Sequence, residues 1–112
     1  MESKELALLT AKELDNRKAS DILILDVAEK SGFADYFVIA SASSMRQLDS
    51  LCEYTEDKLA ENDVIVEHIE GKGESGWVLM DYGDVIINLF TNEQRDKYQL
   101  ERIWKDCERI EL

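Results

Sequence analysis

Asp81 and Asp84 come closest to a reaction centre by type and spacing, because two carboxylates near a strand end can hold Mg2+ through oxygen ligands. They lie in the run Trp77-Val78-Leu79-Met80-Asp81-Tyr82-Gly83-Asp84-Val85-Ile86-Ile87-Asn88-Leu89-Phe90. Two acids on one strand face need i, i+2 spacing, whereas these are three apart with Gly83 between them. That pattern fits a turn or a partner contact better than a metal pair. On the first strand, Trp77, Leu79 and Asp81 share one face and Val78, Met80 and Tyr82 the other, and either face can be the core. Trp and Tyr flanked by acids also have the makeup of an interface hot spot.

Other chemistry is weaker. His68 could serve as a general base, but no Ser or Cys nucleophile stands in a recognisable motif with it. Ser41, Ser43 and Ser44 bring hydroxyls to a helix start, a place that can bind an anion, yet capping explains Ser44 without a ligand. Gly71-x-Gly73-x-x-Gly76 matches a dinucleotide fingerprint formally, but the segment after it reads as a strand and not a helix. Cys52 and Cys107 lack any Cys-x-x-Cys spacing and read as reduced core thiols. No catalytic residue, metal ligand or cofactor-binding residue is assigned.

The elements that must position these residues follow from periodicity. Leu6, Ala7, Thr10, Ala11 and Leu14 form one face of an amphipathic helix over 5–17. Runs of strand length cover 21–27 and 36–41, both nearly continuous in apolar residues, as expected of strands buried on two faces. The link 28–35 contains Gly32 and is too short for a crossover helix, so the two strands should be antiparallel neighbours. Ser44 and Gln47 match a capping box, opening a second helix with the stripe Leu48, Leu51, Cys52, Thr55 and Leu59.

Residues 64–69 alternate as a half-exposed strand at a sheet edge, and the glycines of 70–76 mark a loop. The run from Trp77 to Phe90 then reads as a hairpin turning at Gly83, which can adopt positive φ. Thr91 to Gln94 is a further capping box, opening a third helix with Leu100, Ile103, Trp104 and Cys107 on one stripe. The expected fold is a single domain over 1–112, α/β or α+β, in the order α-β-β-α-β-β-β-α, with a mixed five-stranded sheet and three flanking helices.

At 112 residues, 45% hydrophobic and 34% charged, the chain has the composition of a globular domain with a core. Thirteen Lys and Arg against 25 Asp and Glu give a net charge of -12, which would repel a phosphate backbone and favours a basic partner. Little direct nucleic-acid contact is expected. The first residues lack a basic start and apolar core of a signal peptide, and no apolar run approaches a membrane span, so a cytoplasmic protein without membrane contact is expected.

Asp35-Tyr36-Phe37-Val38-Ile39-Ala40, Ser44 with Arg46-Gln47, Glu70-Gly71, Trp77-Val78-Leu79 and Asp81-Tyr82-Gly83-Asp84 closely resemble the ribosomal silencing factor family, also called RsfS or Iojap. The resemblance continues through Arg95, Tyr98, Leu100-Glu101 and Trp104 and covers nearly the whole chain. It implies a nucleotidyltransferase-like fold without established transferase activity and frequent homodimers. The implied function is translation repression under nutrient limitation: binding the large ribosomal subunit through its protein fourteen and blocking the small subunit from joining. A large-subunit assembly factor and, more remotely, a nucleotidyltransferase-like enzyme are the alternatives. The family usually has Gly where this chain has Ala42, and often His where it has Asn88. The expected partner-binding residues are Trp77, Leu79, Asp81, Tyr82 and Asp84, with Arg95 and Tyr98 beside them.

Overall fold

The computed structural model describes residues 1–112. The chain runs α1 (Ser3–Asn16), β1 (Ser20–Asp26), α2 (Ala28–Ser31), β2 (Tyr36–Ala42), α3 (Met45–Ala60) and β3 (His68–Glu70). A single 3-10 turn at Gly73–Ser75 precedes β4 (Trp77–Asp81), β5 (Val85–Thr91), α4 (Asn92–Tyr98), α5 (Leu100–Ile103) and β6 (Glu108–Arg109). The strands form one mixed sheet in the order β3-β4-β5-β2-β1-β6. Only β2 and β5 pair in parallel, and they lie at its centre.

The expected α/β architecture is present, with three local differences. The sheet has six strands and not five, because the C-terminal chain returns to lay Glu108 and Arg109 against β1. The link between β1 and β2 holds the helical turn α2, ended by Gly32 in the left-handed region, and still returns antiparallel. The third helix is broken at Gln99, whose φ of 46° and ψ of 48° separate α4 from α5. Leu100, Trp104 and Cys107 still pack on the sheet, whereas Ile103 of the expected stripe is 71% exposed.

Helix starts follow the sequence chemistry. Ser44 Oγ accepts from Gln47 N–H at 3.0 Å, while Gln47 Oε1 accepts from Ser43 N–H and its hydroxyl, one residue earlier than in a strict capping box. Helices α1 and α3 cover one sheet face, where Leu6, Leu14, Leu48, Leu51 and Leu59 meet Val38, Met80, Val85, Ile87 and Leu89. Every residue of β5 from Val85 to Phe90 is buried, as a central strand requires. Strand β1 is less buried than its apolar run suggests: only Ile24 and Leu25 are enclosed, because β6 covers just its last residues and a register irregularity lies between Ser20 and Leu23.

Leu14 is fully buried between α1 and the sheet. Leu14→Ala should lower unfolding free energy by about 2–5 kcal/mol, read as a reduced urea midpoint with an unchanged slope.

Candidate functional site

The site is built on the β4–β5 hairpin. Trp77 stands opposite Phe90 and Asp81 opposite Ile86. Gly83 turns the chain at φ 83°, and its N–H donates to Asp81 Oδ1 at 2.8 Å while Tyr82 N–H donates to the Val85 carbonyl at 3.0 Å. The Asp81 carboxylate therefore closes an Asx-type turn. The Asp84 carbonyl accepts from Asp35 and Tyr36 N–H at 2.7 and 3.1 Å, tying the α2–β2 link to the hairpin tip, and the residue itself is exposed.

Alternation along β4 decides which face is free. Val78 and Met80 are buried under the helices, while Trp77, Leu79 and Asp81 are half-buried on the opposite face. There the Trp77 indole N–H donates to Asn88 Oδ1 at 3.0 Å. Its ring stacks on Phe90 with centroids 5.1 Å apart, and Tyr98 packs against it at 4.9 Å. Tyr98 arrives there because Arg95 pins α4 and α5: its Nε donates to both oxygens of Glu101 at 2.9 and 3.1 Å, and its Nη1 donates to Ser41 Oγ at 2.8 Å. The Tyr98 ring remains 49% exposed.

The C-terminal segment covers only part of this second face. What it leaves open is a groove of about 360 Å³, floored by Phe37, Leu79, Ile86 and Asn88, flanked by Phe33 and Leu100, and rimmed by His68, Glu70 and Asp81. A neighbouring hollow of about 270 Å³ joins Glu70, Gly71 and Ser75 to Trp77, Leu79 and Tyr98. His68 Nε2 lies 3.1 Å from Glu70 Oε1, a pair exposed to solvent on the edge strand. The surface combines aromatic and aliphatic area with an acidic rim, the makeup of a protein-docking patch.

Of the residues expected from sequence, Trp77, Leu79, Asp81 and Tyr98 converge on this surface, and Asp84 stands exposed at the hairpin tip. Tyr82 does not join them. It is 8% exposed and packs in the helix-covered core, because the alternation that exposes Asp81 turns the next side chain inward. Arg95 is also withdrawn: its guanidinium is consumed by Glu101 and Ser41, so it places Tyr98 without presenting a charge. Phe33, Glu70, Ile86, Asn88 and Leu100 line the groove without having been singled out for it. Glu70 and Leu100 lie in motifs that carry the family resemblance, and Asn88 is the one polar residue inside the apolar run Val85 to Phe90.

The family model described as "Ribosomal silencing factor during starvation" matches residues 1–112. The chain belongs to the RsfS family. It is 36% identical over 112 residues to the ribosomal silencing factor RsfS of Bacillus subtilis, an alignment covering 100% of this chain and 95% of that protein. A crystal structure of a Chromobacterium violaceum protein superimposes with a TM-score of 0.89 at 31% identity, over 94% of this chain and 88% of that one. The mouse protein named "Mitochondrial assembly of ribosomal large subunit protein 1" is 34% identical over 95 residues, 81% of this chain and 41% of that protein. In this chain an open, acid-rimmed sheet face lies opposite a helix-covered one, and no helix is long and apolar enough to cross a membrane.

The withdrawn Tyr82 has a measurable consequence. Its hydroxyl is buried without a partner, and burial, reinforced by Glu56 and Cys52, holds the phenol above the ordinary tyrosine range. Burial, with Glu56, Asp49 and Glu53 behind it, also pushes the Cys52 thiol up to about 11. The unfolded chain loses these protons first, so their contribution to stability is fully present below the unfolded values and falls as pH rises above about 9. Tyr82→Phe should leave stability at pH 7 unchanged or slightly raised, and should make the alkaline decline of the melting temperature shallower.

Proposed function

We propose that this protein docks its open sheet face on a basic protein of the large ribosomal subunit, the subunit's protein fourteen, and so blocks joining of the small subunit and represses translation when nutrients are short. The observation that carries the reading is the half-covered second face, where Trp77, Leu79 and Tyr98 supply apolar area beside the carboxylates of Glu70 and Asp81. A net charge of -12 favours a basic partner and disfavours direct contact with ribosomal RNA. The mechanism is steric, so it needs an affinity that competes with subunit joining and no chemical step. Asp81 Oδ1 accepts from Gly83 N–H, which gives this carboxylate a turn role, and its second oxygen can meet a cation of the partner. We place this activity in the cytoplasm.

A second reading has its own support. The mouse relative is named for assembly of a ribosomal large subunit, so the same face could hold a maturing subunit before it silences a finished one. The two uses share contacts and differ in timing. The homodimer implied by the family resemblance belongs to the same proposal, and a sedimentation mass of one chain would remove it.

Density-gradient sedimentation with purified large subunits tests the docking. Leu79→Lys puts a cation on the groove floor and should reduce co-sedimentation about tenfold or more, with Asp81→Asn, which keeps the acceptor for Gly83, giving a smaller loss. Tyr82→Phe should bind as the wild type does. Equal binding by a folded Leu79→Lys protein would overturn the assignment of this face. Binding should also weaken as salt rises, since opposite charges across the contact are screened.

A further inference from the structure

The floor of the groove holds a polar group whose second half is unused. Asn88 is 2% exposed and stands in β5 between Leu79 of β4 and Ile39 of β2, with Ile86 and Phe90 two residues to either side on the same face. An indole N–H can only donate, so the bond from Trp77 fixes the Asn88 oxygen toward that ring. The amide nitrogen must then point elsewhere, and it donates to no atom of the chain, while the residue lines the groove. The residues directly opposite it, Leu79 and Ile39, are hydrocarbon, and the diagonal Asp81 accepts from Gly83 N–H and makes no bond to Asn88. The chain's fully enclosed hydroxyls without partners, those of Thr10, Thr55 and Tyr82, belong instead to the helix-covered side or the helices themselves.

We propose that Asn88 is a specificity-determining residue of the docking groove, whose side-chain NH2 donates to a neutral oxygen, a main-chain carbonyl or side-chain amide, on the partner segment that enters. The inference rests on the docking reading above. A partner that closes the groove expels solvent from its floor, and the amide then either meets an acceptor or becomes a buried unsatisfied donor. A purely hydrocarbon wedge would fill the space between Leu79 and Ile86 but leave that donor stranded. The segment that fits therefore carries three features together: an apolar side chain for the groove, a cation for the rim at Glu70 and Asp81, and an oxygen acceptor positioned over Asn88. The acid rim selects for charge, and Asn88 discriminates among cationic segments.

Asn88→Asp separates donor from acceptor. One carboxylate oxygen can still accept from Trp77, but the other replaces the NH2 and repels an incoming oxygen. Binding to isolated protein fourteen should fall about tenfold or more even though the variant adds a negative charge toward a basic partner. Equal or tighter binding by the folded variant would overturn the proposal. If the buried carboxylate prevents folding, the wild-type protein provides the test: the Asn88 side-chain amide protons should shift downfield in a 15N-correlated NMR spectrum as protein fourteen is added. Unmoved amide signals at saturation would overturn the proposal and leave docking intact. Absence of any wild-type binding to the large subunit would instead remove the docking reading, and this inference with it.

Discussion

A sheet whose central strands are buried on both faces needs cover on both faces, and this chain has long helices for only one. Strands β2 and β5 are enclosed almost throughout, and the 14 residues of α1 with the 16 of α3 roof one side completely. The other side has only the seven residues of α4, the four of α5 and the chain that follows. These reach Phe37, Ile39 and Phe90 near the sheet centre and, through Tyr98, Trp77 at the start of β4, but leave Leu79, Asp81 and β3 open. The exposed groove is the direct result of that shortage of cover.

Keeping so little cover in place depends on Arg95. A guanidinium with a side-chain exposure of 10% is tolerated because the Glu101 carboxylate neutralises it and Ser41 accepts a further hydrogen bond. Ser41 lies on β2 and Glu101 on α5, so one side chain joins the sheet centre to both sides of the break at Gln99. Tyr98 is thereby held against Trp77, and Trp77 is oriented by Asn88. Each group in this sequence is fixed by the one before it. The open face is thus held by hydrogen bonds and ring packing that continue from the core, and a surface fixed in advance limits the ordering cost of the proposed association.

How much of this was legible in the sequence depended on whether the cause was local. The hairpin, its turn at Gly83 and the cap at Ser44 rest on backbone and side-chain chemistry within a few residues, and all are present. The alternation of Trp77, Leu79 and Asp81 against Val78, Met80 and Tyr82 was equally readable, but both faces carry large apolar residues, so only the placement of α1 and α3 decided which was core. The break at Gln99 has no Gly or Pro to announce it and is spanned by the Arg95–Glu101 contact, six residues apart. Strand β6 consists of Glu108 and Arg109, which have no strand character of their own and pair only because the chain returns to β1. Asn88 is polar in an apolar strand, but its partner Trp77 lies across the hairpin, beyond any local pattern.

Charge and hydrogen bonding divide the work of recognition by range. An acidic excess acts over about a Debye length, roughly 8 Å at physiological salt, and attracts any cation within it, so it raises encounter rates without naming a partner. Under the proposed docking the same charge is also exclusive, because phosphate repels it and basic protein attracts it. Choice among basic patches has to come from contacts that act only at atomic distance. Leu79 and Ile86 supply shape, but hydrophobic area is tolerant of many side chains. A buried amide on the groove floor is not tolerant, because an ill-matched partner strands a donor that solvent had satisfied. On the proposed docking, a single Asn in an otherwise apolar strand therefore adds a distance-dependent selectivity that the acidic surface around it does not supply.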